Sequence, residues 1–405
     1  MRDYDVIIVG GGSSGSMCAR LLGEKHLRTL LVEKGTFPHP RGGHDILLDA
    51  QRGLLKNEHI SSRLASSQKV IPLFGLRIGE HPSSNGNSLS SFSSSISLDG
   101  IGILREELDS LLFEHASKVV EFRENTQVVG LVRGGDGKVI GLRLANLSTK
   151  EVKEVTADVI VGADGSFSSI SSWMGIPTFD ANASWLFAQT TIPGRVPDDA
   201  WVRIYPLFSH SPAYAWQSPL PQEKWSIGLA VPYAYAHSSS VDLLSYFSSI
   251  FHSFSSSYAN HAPIIESTVR VHISPAHRVK ENVLLIGQAA GFGGFFLGET
   301  FQNDILSASL ACDVIVRAGE NGFSHEILSE YEKESLRMIG SFQCDSRRIC
   351  GWWQHPFVMK RMLSMAGKNN SIQQSSSASI WFSSQSRKQL SHPWSVLKLL
   401  MSGSV

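Results

Sequence analysis

Long hydrophobic runs are missing from this 405-residue chain. None approaches the roughly 20 residues that a membrane-spanning helix needs, so no such helix is expected. Net charge is missing as well: 36 Lys and Arg balance 36 Asp and Glu, which removes any general electrostatic case for nucleic acid. Cysteine is sparse. Cys18, Cys312, Cys344 and Cys350 contain no C-x-x-C spacing, so neither a disulfide framework nor a zinc cluster follows. The 15 histidines include no H-E-x-x-H, and His272 and His277 are too loosely spaced for ligands, so no metal site is expected. A glycine cluster begins at residue 10, which leaves no room before it for a signal or transit peptide. A cytoplasmic protein is expected, with peripheral contact at a membrane surface left open.

What is present begins with that cluster. The apolar run Val6 to Val9 leads into Gly10-Gly11-Gly12-Ser13-Ser14-Gly15, then a stretch of helical character (Met17, Cys18, Leu21, Leu22), then a second apolar run ending in Glu33. This reads as strand, tight turn, helix and strand. Gly10, Gly12 and Gly15 stand in G-x-G-x-x-G spacing, in which the first permits the turn, the second lets a pyrophosphate approach and the third lets helix and strand pack. The helix N-terminus offers unpaired N–H groups and partial positive charge to phosphates. Glu33 falls about 20 residues on, where an acid accepts ribose hydroxyls. Its charge repels a 2′-phosphate, which favours FAD or NAD over NADP.

At 42% apolar and 18% charged residues, the chain is an ordinary globular protein large enough for two lobes. Phe37-Pro38-His39-Pro40-Arg41-Gly42-Gly43 has turn chemistry. The serine-dominated stretch 83–97 reads as an exposed loop or irregular strand. Apolar spacing from Ile103 to Ala116 predicts an amphipathic helix with Arg105 in its first turn and Asp109 one turn later. Two runs flanking Gly134-Gly135-Asp136-Gly137 predict a hairpin, and Val159 to Ser166 a buried strand entering a polar turn. Short alternating runs over 185–275 suit a mostly antiparallel sheet, broken by a helix near 241–254. The segment 282–287 predicts another strand, 299–317 and 324–349 predict helices, and 394–400 a short amphipathic helix.

Three segments in order, G-x-G-x-x-G with Glu33, Ala163-Asp164-Gly165, and Ile286-Gly287-Gln288-Ala289-Ala290-Gly291, resemble the FAD-dependent oxidoreductases of the p-hydroxybenzoate-hydroxylase fold. Within that fold the chain is most similar to the geranylgeranyl reductase family, with tryptophan halogenases and monooxygenases as neighbours. The resemblance implies an α/β protein. A Rossmann-like FAD-binding domain (1–180 with 276–322) would carry a mixed or antiparallel-sheet substrate domain (181–275) and a C-terminal helical region (323–405). It implies FAD contacts from Gly10, Gly12, Ser14, Gly15, Glu33 and Lys34, from Arg41, Arg105 and Val129, and from Asp164 and Gly165. Gly287, Gln288, Gly298, Glu299 and Thr300 complete the set. Arg105 matches the family's R-x-x-x-D-x-x-L arginine beside the flavin. A helix N-terminus near Glu299 would face the ring system, where it stabilises the negative charge of reduced flavin.

Tyr214-Ala215-Trp216-Gln217-Ser218-Pro219, followed by Ile227-Gly228, matches the reductases' Y-x-W-x-x-P segment and the Val-Gly behind it. Tyr214, Trp216 and Phe295 become candidates for an apolar substrate wall, whereas Trp225 is divided between site and core. Gln288 replaces the family's aspartate, Phe295 a proline, Thr300 a glycine, and Arg41-Gly42-Gly43 lacks the cysteine that many reductases place before the two glycines. The implied activity is hydride transfer from reduced flavin to a C=C bond of a large apolar substrate, with NAD(P)H as transient reductant. Oxygen-dependent hydroxylation of an aromatic compound is the alternative. Halogenation is disfavoured, because only Lys69 is available as its lysine. A degenerate partner protein that has lost catalysis is the third reading.

Overall fold

The computed structural model describes residues 2–39, 44–48, 67–79, 92–177, 179–198, 200–207, 213–238, 267–271, 277–294, 299–340 and 343–345, with a few isolated positions between. The proposed helices at 241–254 and 394–400 lie largely or wholly outside them, as do Arg41, Phe295 and Gly298.

The strands of the described residues form two eight-stranded sheets. In the first, β1 (Tyr4–Val9) lies between β2 (Thr29–Val32) and β9 (Val152–Gly162), parallel to both. Val9 pairs with Val32 on one side and Gly162 on the other. Val6, Ile7 and Ile8 are fully buried. Covered on both faces, the strand needs no polar alternation, and each of these side chains contributes about 1.5–3 kcal/mol of burial. Strand β6 (Glu121–Arg123) extends the sheet beyond β2, and β16 (Val283–Leu285) extends it beyond β9. Antiparallel β15 (Val279–Lys280) closes that edge. The predicted hairpin forms β7 (Thr126–Arg133) and β8 (Val139–Asn146), with β8 pairing onto β9.

Helix α1 (Ser13–Glu24) covers this sheet and packs on α2 (Arg105–Ala116) and on α5 (Glu299–Gly319). The spacing predicted a helix over 299–317, and the structure starts it at the same residue. The next helix, expected over 324–349, forms a regular α6 (His325–Ser335) and passes into a π turn at Leu336–Gly340. No helix among the described residues is long and apolar enough to cross a membrane.

The second sheet draws strands from both sides of residue 180. Its order is β14 (Ser267–Val271), β10 (Trp185–Pro193), β13 (Lys224–Pro232), β12 (Tyr214–Leu220), β11 (Trp201–Pro206), β4 (Val70–Gly79), β5 (Phe92–Leu104) and β3 (His44–Leu48). Three of its strands therefore come from 44–104, which the sequence pattern places in the first domain. Residues 92–97 of the serine-rich stretch open a 13-residue strand, held there by backbone pairing with β4, and 83–91 lie outside the described residues. Helix α4 (Tyr233–Ser238) lies on one face, where Ala188, Tyr205, Ala215, Leu229, Val231 and Ala236 form a separate core.

Candidate functional site

The G-x-G-x-x-G turn folds as its spacing requires. Gly10 sits at φ +104°, and a Cβ there would lie 2.4 Å from the Ala163 carbonyl oxygen, while one on Gly15 would lie 1.8 Å from the Gly10 oxygen. Only glycine permits both the conformation and the approach. The turn after β9 thus abuts the turn after β1. Gly12 caps α1 without a side-chain hydrogen bond, so the N–H groups of the first turn face outward with no side chain spent on them. Ser13 and Ser14 are buried in that turn.

Glu33 is 3% exposed. Its Oε2 accepts the Gly11 N–H at 2.7 Å and its Oε1 the Gly35 N–H at 2.9 Å. The Nε2 of His39 lies 3.2 Å from that same Oε1. Burial pushes the acid up, but the interactions with His39, Gly11 and Gly35 outweigh it and hold Glu33 down at about 2. It is a fixed anion at neutral pH, fit to accept ribose hydroxyls and hostile to a 2′-phosphate. Lys34 beside it is exposed. Val129 is 43% exposed at the irregular pairing of β7 with β8.

Asp164 is tied to the helix that follows it. Its oxygens accept the Ser168 hydroxyl at 2.6 Å and the Ser169 and Ile170 N–H groups at 2.7 and 3.2 Å. The carboxylate thus holds the first two N–H groups of α3 (Ser169–Met174), whose N-cap Ser168 accepts the Ser171 N–H, and Gly165 (φ +81°) makes the bend before it. Burial pushes this acid up against those bonds. What reaches the cradle is the backbone of Ala163 and Asp164, lying on Gly10.

The turn after β16 is a single 3-10 turn, Gly287–Ala290, with Gly287 at φ +56° and Gln288 half-buried. The Gly287 N–H donates to Ser307 Oγ at 2.9 Å. Farther along, the Gly294 N–H donates to Thr300 Oγ1 at 3.1 Å, and Gln343 Nε2 donates to the carbonyls of Gly291 and Gly293, each at 3.0 Å. Thr300, which replaces a family glycine, therefore ties the loop to the start of α5. Gln343 carried no sequence signal.

Arg105 joins the two sheets. Its guanidinium donates to Asp109 at 3.0 Å, to Asp45 of β3 at 2.8 Å and to Ser13 Oγ at 2.7 Å. Burial opposes its charge, but Asp109, Asp45 and Asp304 hold it fully ionised. The hydroxyl of Ser13 donates on to Asp304 of α5 at 2.5 Å. Asp304 is a site residue that sequence reasoning missed. Its signal was an acid in the polar first turns of the helix, one turn after Thr300.

On the second sheet, alternation sends Trp185 and Phe187 of β10 and Tyr214 and Trp216 of β12 to one face. Ring centroids stand 5.9 Å apart for Trp185 and Tyr214, 6.0 Å for Phe187 and Trp216, and 6.1 Å for Tyr214 and Trp216. Between them β13 contributes Gly228 and Ala230, with Pro232 opposite Trp185. A Cβ on Gly228 would lie 1.9 Å from the Trp216 ring, so the indole lies flat across the glycine. This explains why Trp and Gly recur together in the motif. Trp216 Nε1 and the buried hydroxyls of Ser218 and Ser226 have no hydrogen-bond partner among the described residues. Trp225 points to the opposite face, packs with Ile192 and Ile227, and receives Arg203 at 5.2 Å. It is half-buried there, and Lys69 is bound to Glu107 at 2.6 Å on the surface.

The uncapped α1 N-terminus, the ionised Glu33 and the two close-packed glycine turns fit an adenine-linked dinucleotide. Residues 3–290 match the FAD binding domain family. A digeranylgeranylglycerophospholipid reductase of Methanosarcina acetivorans is 32% identical over 242 residues, 57% of this chain and 55% of that one. Another, from Methanothrix thermoacetophila, is 28% identical over 352 residues, 83% of this chain and 84% of that one. Among solved structures, a geranylgeranyl bacteriochlorophyll reductase-like protein from Thermoplasma acidophilum superimposes with a TM-score of 0.76 at 19% identity, covering 98% of each chain. That last likeness is one of fold.

Proposed function

We propose, from the premise that the chain belongs to the FAD binding domain family, that it reduces a C=C bond of a large apolar, polyprenyl-type substrate. The observation that carries this reading is the match to the Methanothrix reductase, over 83% of this chain. An alignment of that length necessarily includes the strand bearing Tyr214 and Trp216. FAD supplies the hydride chemistry. The chain's own residues hold, orient and exclude. The α1 N-terminus and Glu33 hold the ADP half, with the backbone at Gly10, Gly12, Ala163 and Gly287 approaching closely. Thr300 and Gln343 fix the loop that follows Gly287. The Tyr214 and Trp216 face orients an apolar chain and keeps water out, and Trp216 Nε1 offers one donor to an oxygen on the substrate. NAD(P)H is proposed as the transient reductant, because no second dinucleotide motif accompanies the first. A cytoplasmic protein meeting a lipid substrate at a membrane surface completes the proposal.

Anaerobic single turnover tests it. The FAD-loaded protein is reduced, mixed with a polyprenyl glycerophospholipid, and followed by flavin absorbance and product mass. Reoxidation with a matching gain of two hydrogens per reduced bond is expected. Reoxidation by oxygen alone, stimulated by an aromatic compound, would assign hydroxylation instead. A colourless protein that takes up no FAD would leave the non-catalytic partner reading.

A further inference from the structure

Asp304 occupies the meeting point of the two glycine turns. Its Oδ2 accepts the Ser13 hydroxyl, and its Oδ1 is buried with no hydrogen-bond partner among the described residues. A Cβ on Gly287 would lie 2.7 Å from that Oδ1 and 2.5 Å from Ser14 Oγ. The unpartnered oxygen thus lies where the turn after β16 packs against Ser14 of the phosphate turn.

We propose that Asp304 couples cofactor binding to a proton: FAD binds the form in which this carboxyl is protonated, and above neutral pH its uptake draws one proton from solution. This rests on the FAD reading above and adds a residue that neither the motifs nor the family match assigned.

Charge at the site argues for it. From α2, Arg105 and Asp109 face Asp304, and from β3 so does Asp45; Arg105 Nη2 stands 3.8 Å from Oδ2. Ser13 on α1 and Gln288 in the turn after β16 are neutral. Arg105 is already divided between Asp109 and Asp45. One guanidinium against three carboxylates leaves the cluster at a net charge of about −2 if all are ionised, and a pyrophosphate adds about two further negative charges at the same helix N-terminus. Like charges brought together in a desolvated site favour protonation of the group that can give up its charge. Burial pushes the Asp304 acid up to about 7, against the pull of Arg105 and Ser13 and with help from Asp45 and Asp109. A bound dianion pushes it further in the same direction. Protonated, the carboxyl removes one negative charge and turns Oδ1 from a stranded acceptor into a donor beside Ser14.

The sign follows. Below about pH 7 Asp304 is neutral before FAD arrives, so affinity is independent of pH. Above it, each pH unit weakens binding by about tenfold until the acid of the bound form is reached.

Apo protein is titrated with FAD by flavin fluorescence quenching from pH 6 to 9 at constant ionic strength. Heats of binding at pH 8 in two buffers of different ionisation enthalpy count the protons. A flat Kd below neutrality, a near-tenfold rise per unit above it and close to one proton taken up are expected. Asp304→Asn should flatten the profile and bind roughly thirtyfold tighter than wild type at pH 8.5. Asp304→Ala, checked for folding by circular dichroism, should also be flat. A wild-type Kd constant across the range, or an Asn variant with the wild-type slope, would overturn the proposal and leave the FAD assignment standing. Failure to bind FAD even at pH 6 would overturn both.

Discussion

Replacing Glu33 by glutamine probes the anion around which the adenosine end of the cradle is built. The carboxyl is held down from its ordinary 4.5 to about 2, and its 3% exposure means little screening by solvent. That difference is worth roughly 3 kcal/mol of folding stability. It agrees with the loss of charge-assisted bonds from Gly11 and Gly35, at about 1.5–3 kcal/mol each, less the one bond glutamine can still accept. A group whose acid is depressed in the folded state stabilises above its unfolded value and loses that contribution as pH falls through the folded one. Urea denaturation of the cofactor-free protein at pH 7 should therefore show Glu33→Gln less stable by roughly 3 kcal/mol, with the gap narrowing below about pH 4.5. Equal stability at pH 7, or a gap that stays constant at acid pH, would refute the reasoning that the anion organises this turn.

At the aromatic face, Gly228→Val forces a branched side chain into the Trp216 ring, since a Cβ on residue 228 would lie 1.9 Å from it. It should cost about 1–3 kcal/mol, shift tryptophan fluorescence and, if Trp216 touches substrate, raise KM. Combining Gly228→Ala with Trp216→Ala should cost less than the sum of the two singles, and strict additivity would contradict the contact. Asp164→Ala should destabilise by about 1–2 kcal/mol through loss of its bonds to the start of α3 while leaving FAD affinity within a few fold. A large selective loss of FAD would return Asp164 to the cofactor.

The elements legible in the sequence are those specified locally. The strand, glycine turn and helix of residues 4–24 announce themselves through spacing, and so does the helix that begins at Glu299, because each buries an apolar stripe of its own. The second sheet hid three of its strands. β5 carries serines without alternation, and β11 pairs in parallel with β4, more than 120 residues earlier; such a partner is invisible to a local pattern. Trp225 shows the same limit from another side, since one residue of register decides whether a ring faces the site or the core. The bonds from Asp164 to the helix after it had no sequence signal, because a carboxylate in a tight turn holds a helix start or faces a ligand with the same residues around it. Asp304 became visible only when α5 was laid against α1, which put it beside Ser13.

The claim on which the rest depends is that an adenine-linked flavin lies between the phosphate turn of α1 and the turn after β16. Parallel titrations of the apo protein with FAD and with FMN at pH 6 test it most directly. FAD should saturate at one per chain, with FMN, which lacks the adenosine held by Glu33, at least tenfold weaker. Equal affinities, or no saturable binding of either, would contradict it.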